Sequence, residues 1–309
     1  MIRIYTLTLA PSLDSATITP QLYPEGKLRC SSPVFEPGGG GINVARAIAH
    51  LGGTATAIFP AGGATGEHLV ALLADENVPV VTIDAKDWTR QNLHVHVESS
   101  GEQYRFVMPG AALDDDEFRQ IEEQVLEIES GAILVISGSL PPGVKLEKLT
   151  QLIAAAQKQG IRCIIDSSGD ALNAALSLGN IELVKPNQKE LSALVNRELT
   201  QPDDVRQAAQ EIVKSGKARR VVVSLGPQGA LAVDSESCVQ VVPPSRQKSK
   251  YRRRGRQHGW RNDAKTGGKR LAGRDGAFRR LGRQRGDVES RNTSVSRDDT
   301  QKIYAWLSQ

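Results

Sequence analysis

Short apolar runs alternate with amphipathic stretches over the first 244 residues, the pattern of a largely parallel sheet covered by helices on both faces. IRIYTLTLA (2–10) reads as a strand, and NVARAIAHLGG (43–53) as a helix. Val44, Ala45, Ile48 and Leu51 form its apolar stripe and a glycine pair stops it. TATAIFPAGG (54–63) predicts a strand and GEHLVALLADENV (66–78) a helix. After a stretch of lower order, AILVISGS (132–139), RCIIDSS (162–168) and IELVKPN (181–187) read as strands. LEKLTQLIAAAQKQG (146–160), NQKELSALVN (187–196) and PDDVRQAAQEIVKSG (202–216) read as helices. RRVVVSLGPQGALAVD (219–234) predicts a strand, a tight turn and a second strand. Two segments depart from this rhythm: 15–35 and 91–109 alternate polar and apolar residues over extended lengths. They predict a small antiparallel sheet outside the α/β core, a lid whose apolar face can also pair two copies of the chain.

The pattern stops at Ser245. Between Ser245 and Arg297 stand 18 Lys/Arg and 4 Asp/Glu, a local charge of +14; the chain carries +4, so the other 256 residues sum to −10. Only 10 of those 53 residues are apolar, and they keep neither a helix nor a strand period. A pI near 9.0 ordinarily implies an acidic partner. Here the basicity belongs to one block, so nucleic acid is not the expected partner. Cys30, Cys163 and Cys238 lie far apart without a CxxC, which fits free and mostly buried thiols in a reducing compartment. The N-terminus has no signal-peptide pattern and no apolar run approaches 18 residues, so a soluble cytoplasmic protein is expected.

In open α/β sheets, ligands bind beyond the carboxyl ends of the strands, and several candidate groups fall there. Asp14 follows the first strand. Gly38 to Gly41 precede a helix that carries Asn43, and such glycines let a ligand reach main-chain N–H groups. A flexible loop explains the same glycines equally well. Ser139, in SGSLPPG, ends another strand; an ordinary strand-to-helix turn would look the same. In KPNQKE, Lys185, Asn187 and Glu190 sit where a helix begins. Asn187 and Glu190 read either as water-mediated contacts to Mg²⁺ and phosphate or as a capping box. Ser224 and Gly226 lie in the turn SLGPQGA. Arg90 and Arg105 flank the lid strands and suit a phosphate clamp. His94 and His96 alternate along a strand and receive no role.

Taken in order, APSLD, GGGGINVARAIAHLGG, GSLPPG, KPNQKEL and VVVSLGPQGAL resemble the ribokinase-like (pfkB) family of sugar kinases. The resemblance covers about residues 1–244, and DDTQKIYAWLSQ at the C-terminus continues it, so 1–309 is expected to be one kinase domain. SGSLPPG and the two arginines resemble the branch acting on phosphorylated ketohexoses. The resemblance implies phosphoryl transfer from Mg-ATP to the 1-hydroxyl of fructose 6-phosphate, with K⁺ as a further ion and a homodimer formed through the lid. It implies Asp14, Gly39, Asn43, Arg90, Arg105 and Ser139 on the sugar phosphate. Lys185, Asn187, Ser224 and Gly226 would lie on ATP, Glu190 on the metal, and Tyr23 and Lys27 on an inhibitory second ATP. Tagatose 6-phosphate and fructose 1-phosphate kinases are the alternatives within the class.

The family's G-A-G-D loop, whose Asp is the catalytic base, is absent from the chain. It should fall inside the basic block. If the codons there were read one base early, each intended codon is the last two bases of one written codon plus the first base of the next. With arginines as CGN, residues 251–262 then decode as T-V-G-A-G-D-S-M-V-G-A-M. The Asp then stands at Arg256. The block therefore reads as the catalytic loop in a displaced frame, returning to frame near Asp298. A genuine basic insertion that binds a polyanion is the competing reading, and a sugar-phosphate binder without turnover is the functional alternative.

Overall fold

In the computed structural model the structure describes residues 2–242. The basic block, Arg256 and the C-terminal segment lie outside the described residues. Thirteen strands and seven α-helices are described, in two sheets.

The large sheet has nine strands in the order β13-β12-β11-β10-β9-β8-β1-β4-β5. These are β13 Cys238–Val241, β12 Ala230–Val233, β11 Ala218–Ser224, β10 Ile181–Val184, β9 Arg162–Asp166, β8 Ile133–Ser137, β1 Ile4–Leu7, β4 Thr56–Ala61 and β5 Val80–Asp84. From β11 to β5 every pairing is parallel, and only the β11–β12 and β12–β13 pairings at one edge are antiparallel. Continuous apolar runs are what such strands require, and Leu134–Ile136 and Val221–Val223 are buried throughout.

Alternate side chains of the sheet enter two cores. On one side Leu7, Ile136, Ile165, Val184 and Val223 pack with helices α3 (Asp115–Leu126), α4 (Leu146–Lys158), α5 (Gly169–Leu178), α6 (Gln188–Leu194) and α7 (Pro202–Lys214). On the other, Ala57 and Phe59 meet Ile42 and Ala45 of α1 (Gly40–His50) and Leu69 and Leu73 of α2 (Gly63–Asp75). Among the described residues, no helix is long and apolar enough to cross a membrane.

The second sheet runs β3-β2-β6-β7: β3 Val34–Gly38, β2 Ser12–Thr19, β6 Arg90–Val97 and β7 Gln103–Phe106. It is the lid, with one difference from expectation. Each excursion pairs antiparallel within itself, β2 with β3 and β6 with β7, but β2 and β6 join in parallel. Both leave the core in the same direction after strands of a parallel sheet, so their first strands align. Residues 20–33, predicted as strand, form no regular element.

Four described elements have no counterpart in the sequence pattern. α3 is so charged that its apolar stripe, Phe118, Ile121 and Val125, is easily overlooked; its Asp114/Glu117 capping box is the legible signal. α5 lies in a short Ala/Leu run ending at Gly179, and β5 and β13 are short strands at opposite edges of the large sheet. The thiols also differ from expectation. Cys163 is buried, while Cys30 lies on the lid loop and Cys238 on the edge strand, both exposed.

Candidate functional site

Helix α1 begins inside the glycine run, not after it. Gly39, its N-cap, has φ 117, a conformation side chains rarely adopt. A Cβ on Gly40 would strike Ser137 Oγ, and one on Gly41 would stand 2.8 Å from Leu7 O. The run therefore seats the helix start directly against β1 and β8, at their carboxyl ends. Asn43 lies in the first turn, exposed, with its N–H donating to Gly39 O at 2.9 Å.

Asp14 does not follow the first strand; it lies within β2 of the lid. Its Oδ1 accepts from Ser12 Oγ at 2.7 Å and from Asn92 Nδ2 at 2.8 Å. A Cβ on Gly38 would come 2.5 Å from Asp14 Oδ2, so the other carboxylate oxygen faces the approach to α1. Registers place Asp14 opposite Asn92, Ser12 opposite Arg90, and His94 opposite Arg105. Because side chains alternate with period 2, Asp14, Arg90, Asn92 and Arg105 all fall on one face of the lid.

Arg90 is held by three carbonyls: Nη1 donates to Met108 O at 2.7 Å, Nη2 to Ala10 O at 3.0 Å and Nε to Pro11 O at 3.4 Å. Burial lowers its pKa from the usual value, an effect the neighbouring Asp14 charge opposes. Arg105, by contrast, is exposed and makes no described side-chain contact. A second arginine, Arg46 of α1, fixes the base of the lid. It holds Glu76 through two hydrogen bonds of 2.7 Å and donates to Pro37 O at 3.0 Å.

The other side of the site lies beyond β9, β10 and β11. Asn187 Oδ1 accepts from Glu190 N at 2.9 Å while Glu190 Oε2 accepts from Asn187 N at 2.8 Å. The capping box read from KPNQKE is thus formed, with one carboxylate oxygen of Glu190 left outside it. Asn187 also bridges in parallel to Ser224, two residues before Gly226 opens a short 3₁₀ turn. Lys185 Nζ pairs with Asp166 Oδ1 at 3.1 Å, and Ser137 Oγ donates to Asp166 Oδ2 at 3.1 Å. Ser139 is exposed just past β8. Tyr23 and Lys27 lie on the lid loop, where Tyr23 Oη donates to Lys27 O at 3.0 Å.

Asn92, Ser12, Ser137 and Asp166 belong to this arrangement although the sequence reading did not select them. Asp166 had a signal, an acidic residue closing the apolar run RCIID. Asn92 had none, since it becomes notable only through the β2–β6 register. No cluster of three or more His, Cys, Asp or Glu able to hold a metal exists among the described residues. Glu190 alone suits Mg²⁺ held mainly by phosphate oxygens and water, the usual arrangement with nucleotides.

Comparison with known proteins gives one consistent answer. The family described as pfkB family carbohydrate kinase matches residues 7–249. The chain is 76% identical to ATP-dependent 6-phosphofructokinase isozyme 2 of Escherichia coli, over all of both chains. The E. coli phosphofructokinase-2 crystallised with fructose 6-phosphate superposes with a TM-score of 0.78, covering 79% of this chain and 80% of that one, at 90% identity. A tetrameric inhibited form of the same E. coli enzyme superposes with a TM-score of 0.77 at 90% identity, covering 79% of this chain and 80% of that one. Identity is thus far higher in the superposed part than over the full length, so the differences gather in the remaining fifth.

Proposed function

Since the chain belongs to the pfkB family of carbohydrate kinases, we propose that it is an ATP-dependent 6-phosphofructokinase acting on fructose 6-phosphate. The observation that carries this reading is the shared lid face of Asp14, Arg90 and Arg105, turned toward the glycine-lined start of α1. Asp14 Oδ2 accepts sugar hydroxyls, Asn43, Gly39 and Ser139 border them, and Arg105 takes the phosphate. Arg90 fixes the walls through its three carbonyl contacts and adds positive charge. Across the site Lys185, Asn187, Ser224 and Gly226 meet the nucleotide, and Glu190 is the residue that would hold Mg²⁺. Mg²⁺ held there would supply positive charge to offset the negative charge of the transferring phosphoryl group. Tyr23 and Lys27 belong to a second, inhibitory nucleotide site on the lid loop. The enzyme works in the cytoplasm.

The chain as written holds Arg256 where the family's base stands, and no GAGD. Residues 245–297 are the catalytic loop region read in a displaced frame. The family match ends at residue 249 and identity falls outside the superposed part, both as a displaced frame requires. The literal chain therefore binds fructose 6-phosphate but transfers phosphate poorly. Calorimetric titration with fructose 6-phosphate tests the binding reading, and absence of binding would refute it.

The lid also presents Leu93, Tyr104, Phe106, Val107 and Met108, each at least 36% exposed. Such a patch on a small sheet favours pairing two copies through their lids.

A further inference from the structure

We propose that Asn92 is a positioning residue that sets the orientation of Asp14 and couples it to the end of the lid; this rests on the sugar site proposed above. Asn92 is only 6% exposed, on a lid strand where its neighbours Gln91 and Leu93 are exposed. Its Nδ2 donates to Asp14 Oδ1 at 2.8 Å, and its Oδ1 accepts from Met108 N at 3.0 Å. The two partners fix which end of the amide is which. A carboxylate only accepts and a peptide N–H only donates, so the side chain between them must do both.

An amide of this length meets that demand. Aspartate would set a second carboxylate against Asp14, and serine or alanine would leave a buried group without a partner. The parallel β2–β6 seam is what places residues 14 and 92 side by side, 78 positions apart. The Ser15 hydroxyl holds the residue's main chain from behind, with Oγ donating to Asn92 O at 2.9 Å.

The Met108 peptide is gripped on both sides, its N–H by Asn92 and its carbonyl by Arg90. Met108 follows β7, where the chain leaves the lid. The position of that exit and the aim of Asp14 are consequently one hydrogen-bonded unit. With Ser12 and Asn92 both on Oδ1, Oδ2 is the oxygen left to receive sugar hydroxyls. Small errors in such placement are costly to recognition, which is why the supporting residue has a measurable role.

The test compares Asn92→Ala, Asn92→Asp, Asp14→Ala and the Asn92→Ala/Asp14→Ala double variant, all as full chains, by titration with fructose 6-phosphate and with inorganic phosphate. Asn92→Ala should weaken fructose 6-phosphate binding about tenfold to a hundredfold. Asn92→Asp, although isosteric, should weaken it at least as much. Inorganic phosphate, which has no sugar hydroxyls, should bind the charge-neutral Asn92→Ala variant as it binds the parent. The double variant should bind no more weakly than Asp14→Ala alone, the coupling expected of groups acting as a unit. Additive losses, a parallel loss of inorganic phosphate binding by Asn92→Ala, or unchanged sugar affinity would each overturn the proposal. If Asn92→Ala does not fold, Asn92→Asp carries the test, with its unfolding midpoint confirming a native structure. A parent chain that fails to bind fructose 6-phosphate overturns the sugar site itself, whereas a parent that binds with unaffected variants overturns only the role of Asn92.

Discussion

The proposed sugar side and the proposed nucleotide side of the site are assembled by different physical means. On the sugar side Asn92 meets Asp14, and Arg90 meets the carbonyls of Ala10 and Pro11 between β1 and β2, across separations of 78 to 80 residues set by the β2–β6 register. On the nucleotide side Asn187 and Glu190 are three residues apart and organise each other through a capping box. Long-range register exists only once the lid is formed, so the sugar side should fail cooperatively when the lid is disturbed. Local capping depends on one helix start, so the nucleotide side should respond in small, isolated steps.

Arg90→Ala gives the largest effect among variants that break this contrast. It removes a charge and orphans carbonyls of Ala10, Pro11 and Met108, costing about 1.5–3 kcal/mol of sugar-phosphate binding. Titration should show weaker fructose 6-phosphate binding with nucleotide affinity retained; equal losses on both sides would erase the distinction. Charging the lid patch comes next. Phe106→Asp should cost about 2 kcal/mol of association, the scale of an interface anchor. Sedimentation velocity should then show monomers at concentrations where the parent chain pairs, and an unchanged distribution would remove the lid from the interface.

A smaller effect is expected at the local end. Asn187→Ala deletes one cap and should lower stability by about 1 kcal/mol, read as a shifted urea midpoint, without altering fructose 6-phosphate affinity. The smallest change concerns thiols. Burial pushes the Cys163 pKa up to about 12, so near pH 8 it stays protonated and inert in the folded chain. A thiol reagent should titrate Cys30 and Cys238 quickly and Cys163 only on unfolding. Rapid reaction of all three would mean that the core around β9 is open.

Most of the large sheet was legible because its strands are apolar runs and its helices carry stripes. NVARAIAHLGG and LEKLTQLIAAAQKQG needed no tertiary information beyond their own periodicity. α3 was not, because its buried stripe of Phe118, Ile121 and Val125 is set among Asp115, Asp116, Glu117, Glu122 and Glu123, and the charge obscures its period. The nucleotide side was legible for the reason it is robust: KPNQKE contains its own cap. The sugar side was only half legible. Asp14 and Arg90 could be selected as residue types, but the strand that places Asp14, the carbonyl grip on Arg90 and the whole role of Asn92 follow from a parallel seam between distant segments. No local pattern encodes that seam.

The central claim is that this is a 6-phosphofructokinase whose written chain has a displaced catalytic loop. Its most direct test assays ATP-dependent formation of fructose 1,6-bisphosphate by the literal chain and by one whose codons from about 245 to 297 are read in the neighbouring frame. A positioned general base contributes about 10²–10⁴-fold, so the frame-restored chain should exceed the literal one by at least about 10²-fold. Equal turnover by the two proteins, or no turnover by either, would contradict it.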